Sequence, residues 1–161
     1  MKIYIGGPMF CYPDIQYNNH IKQLLINNGF DVYSPIDNKT INDKSRTDIT
    51  SEKIYLADIA ELMTCNIFLC RISLDCGTMW ESGYMDCLSK HVDSSKYYGC
   101  IGITTDIRLN TIPDPNKNGV DNQSMYIDQF IIGGLKLSLG VYTSEDDLIR
   151  ALIDIKQNKE N

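Results

Sequence analysis

Three features of the sequence predict an α/β fold: a doubly wound, five-stranded parallel sheet, Rossmann-like or flavodoxin-like, with helices on both faces. Short, apolar, β-rich segments alternate with longer segments of helical period. One of the short segments, Asn66-Ile67-Phe68-Leu69-Cys70, is almost continuously apolar, as expected of a central parallel strand covered on both sides. No internal repeat or low-complexity tract competes with this alternation, and right-handed crossovers then fix the winding.

The elements follow in order. Residues 2–6 form a first strand, ended by Gly6-Gly7-Pro8. Ile15, Ile21, Leu24 and Leu25 give helical spacing over residues 14–28, and Gly29 stands where a C-terminal cap belongs. Residues 30–33 form a second strand closed by Ser34-Pro35, and the polar stretch 36–45 is expected to be a loop. Thr50 or Ser51 caps a helix carrying Ile54, Ala57, Ile59, Leu62 and Met63. After the central strand and its loop, a helix is expected from Thr78 to about Lys90, then a strand at 99–103. Residues 109–124, rich in Asn, Asp, Pro and Gly, form a long loop. Ile127, Phe130, Ile131, Gly134, Leu135 and Ser138 recur at helical spacing, Gly140-Val141-Tyr142 is a last short strand, and Ser144-Glu145-Asp146-Asp147 opens a final helix. The end of the chain, from Gln157, is polar and expected to fray.

A chain of 161 residues is long enough for one domain with its own core, expected over residues 1–157 with a polar tail at 158–161. Apolar residues make up 43% and charged residues 22%, an ordinary globular balance. The net charge of −6 argues against a nucleic-acid polymer or an anionic membrane surface as partner, because few cations are available to displace counterions. The apolar runs are too short to span a bilayer, and Met1-Lys2 leads straight into Ile3-Tyr4-Ile5, so a cytoplasmic location is expected. Cys11, Cys65, Cys70, Cys76, Cys87 and Cys100 contain no Cys-x-x-Cys pair, and His20 and His91 stand alone. Free thiols and no metal site are expected.

Ligands on such sheets bind beyond the carboxyl ends of the strands, which selects the loops at 6–10, 71–77 and 104–124. Gly6-Gly7 lacks the spacing of a dinucleotide fingerprint and is either a tight turn or a place where a small ligand approaches the backbone. In Asp75-Cys76-Gly77-Thr78-Met79-Trp80-Glu81, a helix capped by Thr78 would put Glu81 at its third position, where the helix dipole favours an ionised carboxylate. Thr-x-x-Glu is equally a capping box and Asp-x-Gly an Asx-turn. Asp58, in the helix before the central strand, is either solvated or a third member of the site, and Tyr4 is either a core aromatic or a hydroxyl in search of a partner. Carboxylates of this kind suit glycosyl chemistry: one traps the oxocarbenium-like sugar while another, held protonated by its neighbours, serves the leaving group.

The sequence resembles the nucleoside 2-deoxyribosyltransferase family. The resemblance rests on Ile3-Tyr4-Ile5-Gly6-Gly7-Pro8, Ser34-Pro35-Ile36-Asp37-Asn38, the helix around Asp58 running into Cys65-Asn66, and Asp75-Cys76-Gly77-Thr78 with Glu81, Gly83 and Tyr84. It implies Glu81 as a nucleophile forming a covalent deoxyribosyl ester, Asp75 and Asp58 at the base or its proton, and Tyr4 hydrogen-bonded to the nucleophile. Gly6, Gly7 and Gly77 would line the substrate, with no cofactor. Deoxynucleosides and free nucleobases are the implied partners. The family's Asn-x-Met run, which reaches the sugar hydroxyls from a neighbouring subunit, corresponds to Asn122-Gln123-Ser124-Met125. Met125 fits and the polar contact falls to Asn122 or Gln123, which implies a homo-oligomer. Asp106-Ile107-Arg108 resembles a segment near the base pocket. The function implied is transfer of 2-deoxyribose between bases by a retaining ping-pong route. The alternatives are a nucleoside 5′-monophosphate N-glycosidase, which Asp75 disfavours by its charge, and a non-catalytic nucleotide-binding domain.

Overall fold

The computed structural model describes residues 1–118, 121–124 and 127–160. Five strands, β1 (Lys2–Gly6), β2 (Asp31–Tyr33), β3 (Ile67–Arg71), β4 (Gly99–Ile103) and β5 (Val141–Tyr142), form one sheet in the order β2-β1-β3-β4-β5. Every pairing is parallel. The helices are α1 (Tyr12–Asn27), α2 (Lys39–Asn42), α3 (Ser51–Leu62), α4 (Cys76–Cys87), α5 (Gln129–Lys136) and α6 (Glu145–Glu160), with α4 running on into a π turn at Leu88–Val92. The chain winds one way from β1 to β2 and the other way from β3 onward, which opens a crevice between the carboxyl ends of β1 and β3.

The two-residue period of the strands splits the core into two layers. Ile3, Ile5, Ile67, Leu69, Ile101 and Ile103 face one side and pack with Ile21 and Leu25 of α1 and Leu148 and Leu152 of α6. Tyr4, Phe68, Cys70 and Cys100 face the other and pack with Leu62 of α3, Met85 of α4 and Leu135 of α5. Tyr4 therefore points towards α3 and α4.

Local chemistry sets the ends of the helices. Gly29, at φ 79°, follows α1 in the left-handed conformation that a side chain would strain. Thr50 caps α3 by accepting from the Lys53 amide at 3.3 Å, and Ser144 Oγ accepts from the Asp147 amide at 3.4 Å as α6 begins. The stretch at 36–45 is more ordered than its polarity suggests. Asn38 caps the one-turn helix α2 through Oδ1, and a 3₁₀ turn, Pro35–Asp37, precedes it. The helix α6 runs to Glu160 where fraying from Gln157 was expected. Among the described residues no helix is long and apolar enough to cross a membrane.

Gly6 and Gly7 are explained by packing inside the protein. A Cβ on Gly6 would stand 2.1 Å from Phe68 Cζ, and one on Gly7 would stand 2.7 Å from Arg71 Cβ. Gly6→Ala is expected to cost about 1–3 kcal/mol through overpacking against the ring, read as a lower urea midpoint. Adding Phe68→Leu should recover part of that loss, whereas a glycine kept for ligand approach alone would leave the midpoint unchanged.

Candidate active site

The start of α4 differs from the expected arrangement. Asp75, not Thr78, is the N-cap: its Oδ2 accepts from the Thr78 amide at 2.8 Å and from Thr78 Oγ1 at 2.6 Å. With α4 beginning at Cys76, Thr78 is the third helical residue and Glu81 the sixth. The capping place and the Glu81 place are thus one turn apart. The dipole effect fades within the first turn, so the environment of Glu81 comes from what packs over it. An aspartate wins the cap because its short side chain bonds the amide three residues on while its backbone stays extended, at φ −76° and ψ 110°.

What packs over Glu81 is Tyr4. The Tyr4 hydroxyl donates to Glu81 Oε1 at 2.6 Å, joining β1 to α4. Burial, reinforced by the charges of Glu81 and Asp58, pushes the Tyr4 hydroxyl far above its usual range, so it stays protonated and can only donate to the carboxylate. Its ring is fixed between Tyr33, centroids 5.1 Å apart, and Phe68, 5.5 Å apart. Glu81 Oε2 has no hydrogen-bond partner among the described residues. Burial raises the Glu81 carboxyl to about 7; the Tyr4 bond pulls it down, and the charges of Asp58 and Asp75 push it up.

Asp58 shares a cleft of about 350 Å³ with Glu81, between α3 and α4, with Tyr55, Gly77 and Trp80 in its walls. Burial pushes Asp58 up to about 6, opposed by the Tyr33 hydroxyl and the Lys44 ammonium. Its Oδ1 is buried without a partner. Register places Tyr33 directly beside Tyr4, and Asn38 Nδ2 donates to the Tyr33 hydroxyl at 3.1 Å. Asn38 thus belongs to a chain that ends at Asp58. Lys44 also lies over the ring of Phe10, 5.4 Å from its centroid, so the loops after β1 and α2 meet near this cleft.

The remaining expected residues divide. Gly77 lines the cleft, and a Cβ there would meet only Asp75 Oδ2 at 3.5 Å. Asn122 is committed to its own loop: Nδ2 donates to Asp114 O at 3.1 Å and Oδ1 accepts from Ser124 Oγ at 3.2 Å. Gln123 is exposed, and neither Asn122 nor Gln123 lines the cleft. Met125 lies outside the described residues. Asp106 spends its carboxylate on Arg108, accepting from Nε at 2.8 Å.

Four residues near the carboxylates went unremarked in the sequence: Tyr33, Lys44, Tyr55 and Trp80. Tyr55 and Asp58 are three apart on α3 and share a face, a helical spacing that signals neighbours. Trp80 directly precedes Glu81. Tyr33 and Lys44 carry no such local signal, because they reach the site through the β1–β2 pairing. Arg71, at the end of β3, holds the loop after β1 by donating to Pro8 O at 3.2 Å and to Asn18 Oδ1 at 2.6 Å. Asn18 Nδ2 reaches the same Pro8 carbonyl at 3.0 Å.

A parallel α/β sheet with two partly buried carboxylates sharing a cleft between α3 and α4 is an arrangement that chemistry on glycosidic bonds can use. The chain belongs to the nucleoside 2-deoxyribosyltransferase family, whose model matches residues 3–124. Two solved structures show the same fold. A conserved protein from Enterococcus faecalis V583 is similar at 26% identity with a TM-score of 0.72, over 98% of each chain. A 2-deoxyribosyltransferase from the psychrotolerant bacterium Bacillus psychrosaccharolyticus is similar in fold, at 18% identity and a TM-score of 0.65, over 92% of this chain and 90% of that one. No curated protein matches the sequence significantly. Membership makes this protein a nucleoside deoxyribosyltransferase, an enzyme acting on nucleosides and nucleobases.

The raised Glu81 carboxyl has a cost in stability. The unfolded chain loses this proton near 4.5 and the folded protein near 7, so the folded state loses stability as pH rises between them. Glu81→Gln, which does not titrate, is expected to be more stable than the parent above pH 7 by about 2–3 kcal/mol, after allowing for water at the exposed side of the carboxylate. The gain should vanish below about pH 4 in urea unfolding curves.

Proposed function

We propose that the enzyme transfers 2-deoxyribose between nucleobases by a retaining ping-pong route through a deoxyribosyl ester on Glu81. The observation that carries this reading is the 2.6 Å bond from Tyr4 to Glu81 Oε1, which holds Glu81 in the wall of the cleft it shares with Asp58 and leaves Oε2 without a hydrogen bond among the described residues. Oε2 attacks C1′, the C1′–N bond breaks, and its electron pair leaves on the base, which takes a proton from Asp58. A second base then attacks C1′ and displaces the Glu81 carboxylate, and Asp58 takes its proton back. Two inversions give retention. Asp75 contacts the base or helps its proton transfer. Its carboxylate also caps α4, where a 5′-phosphate would otherwise find a helix N-terminus. That supports nucleosides over nucleotides as substrates.

A homo-oligomer completes the site. Support comes from where apolar side chains are exposed: Leu56 at 64%, Trp80 at 68%, Phe130 at 90% and Leu137 at 81% all lie on or at the end of α3, α4 or α5. An apolar groove of about 520 Å³ runs between α4 and α5 on the same layer. A second copy covering this layer would reach the cleft, and Gln123, which makes no hydrogen bond among the described residues, is the side chain free to meet a sugar hydroxyl there. A cytoplasmic location accords with substrates drawn from nucleoside salvage.

Deoxyinosine with free adenine is expected to yield deoxyadenosine, and Glu81→Ala should lower this exchange by at least about a thousandfold. Release of hypoxanthine at the same rate without adenine, and with no deoxyadenosine formed, would show a hydrolase instead.

The active form holds one proton on the Asp58–Glu81 pair, with Glu81 ionised and Asp58 protonated. Asp58 loses its proton near 6 and Glu81 near 7, so this form is the minor arrangement of the single proton, and kcat/KM for the donor should be bell-shaped with its maximum between the two values. The Tyr4 bond favours ionised Glu81. Tyr4→Phe should therefore raise the Glu81 carboxyl further, move the alkaline limb to higher pH and lower the neutral-pH rate by about 10- to 100-fold. An unmoved limb would limit Tyr4 to packing.

A further inference from the structure

We infer that Arg71 and Asn18 are positioning residues for nucleoside binding: they hold the loop at residues 7–11 where Phe10 and Lys44 meet beside the α3–α4 cleft. This rests on the reading that the cleft takes the nucleoside.

The first observation is how little else holds the loop. It runs from the end of β1 to the start of α1, at the crevice where the sheet reverses its winding. Pro8 has no amide hydrogen, and the amides of Met9, Phe10 and Cys11 donate to no described residue. Cys11 opens α1 without a side-chain cap. The fixed point is the Pro8 carbonyl, which accepts from Arg71 Nη1 at 3.2 Å and from Asn18 Nδ2 at 3.0 Å.

The second observation is that these two donors are themselves fixed. Asn18 is buried, and its Oδ1 accepts from Arg71 Nη1 at 2.6 Å, so amide, guanidinium and carbonyl close a triangle of hydrogen bonds. The same nitrogen reaches Asp14 O at 3.3 Å, Nη2 pairs with Asp14 Oδ1 at 3.4 Å, and the guanidinium lies over the Tyr17 ring. Arg71 ends β3, so the clamp ties together the two strands that flank the crevice. Arginine suits this task because its stacked planar fork holds a direction, which the rotatable ammonium of a lysine does not.

The third observation carries the clamp to the site. Phe10 is 70% exposed, and the Lys44 ammonium lies over its ring at 5.4 Å. The same cation opposes the upward push of burial on Asp58. A loop released at Pro8 would take the Phe10 ring from this place and leave Lys44 free to turn away. Ordering the loop before the ligand arrives removes that cost from binding, so the effect falls on affinity more than on the chemical step.

The test reads deoxyinosine binding by titration calorimetry in a Glu81→Ala background, where no exchange is needed, and steady-state exchange in the active enzyme. Arg71→Lys keeps the charge and loses the stacked fork. It is expected to raise the deoxyinosine Kd and KM about 10-fold, with kcat within about threefold of the parent. Asn18→Asp keeps the acceptor for Arg71 and removes the donor to Pro8. It should raise Kd by about three- to tenfold, and it reports on the clamp even where Arg71→Lys does not fold. Phe10→Ala should weaken binding by itself, and adding Arg71→Lys should then cost no more than about a further twofold, because no ring is left to place. A Kd unchanged in Asn18→Asp or Phe10→Ala, or losses that multiply in the Arg71→Lys/Phe10→Ala pair, would overturn the inference, whatever the fall in urea midpoint. Binding that responds as expected in a protein whose parent exchanges no sugar would instead overturn the proposed function and leave this inference standing.

Discussion

The hydrogen bond between Tyr4 and Glu81 is the constraint on which the rest of the site depends. It joins residues 77 positions apart, and it exists because two independent periods agree. The two-residue alternation of β1 sends Ile3 and Ile5 to the α1–α6 layer and Tyr4 to the opposite one. The Asp75 cap then fixes where α4 begins, which turns Glu81 towards the sheet one helical turn later. A slip of one residue in β1 would bury an isoleucine against Glu81 and leave the carboxylate with no donor. Phe68 and Tyr33, packed on the Tyr4 ring, make that slip costly, and Gly6 is the small residue that gives Phe68 its room.

Burial of two carboxylates works against stability, and the structure shows what offsets it. Strand residues of the two core layers are almost wholly buried on both faces of the sheet, so a large apolar area is removed from water around the site. Glu81 has one hydrogen bond and Asp58 Oδ1 has none, which leaves both carboxyls undersatisfied in the free enzyme. Such groups are expected where a ligand will complete them. Arg71 is better supplied: this half-buried cation is tied to two carbonyls and Asn18 and stacked 4.6 Å from the Tyr17 ring, with only Nε left unpartnered among the described residues, and it shapes the loop that borders the site.

Much of this was legible in the sequence, and the physical reasons for the rest are specific. The fold could be read because a parallel sheet covered on both faces forces uninterrupted apolar strands, and 67–70 has no other use for such a run. Glu81, Asp75, Asp58 and Tyr4 could be singled out by residue type, but their grouping came from the family resemblance. The helix start was misplaced because Asp and Thr are both good caps three residues apart, and only geometry decides between them. Tyr33 was illegible, and Asn38 was visible only as part of the Ser34-Pro35-Ile36-Asp37-Asn38 run, since their approach to Asp58 depends on β2 pairing with β1, a long-range choice. Gly6 and Gly7 could be read equally as a ligand turn, because the atoms they accommodate belong to β3.

The separation of the cap from Glu81 bears on the proposed ester route. A carboxylate at the third position of α4 would be stabilised by the helix end, and a stabilised anion gains less by forming a bond to carbon. Thr78 stands at that third position, and Asp75 caps the helix end itself. Glu81, three residues beyond Thr78, is ionised against the resistance of burial and of two neighbouring carboxylates, with a single tyrosine donor to hold it. In the proposed route, esterification would remove its charge and relieve that resistance, so burial of this carboxylate would lower the free energy of the ester relative to the ionised enzyme. The same argument bears on the second half of the cycle. Reforming a buried anion is costly, which would slow attack by any weak nucleophile and, in the proposed route, leave the ester waiting for a base that Asp58 can hold and deprotonate. Transfer over hydrolysis would then follow from where along α4 the glutamate sits as much as from the exclusion of water.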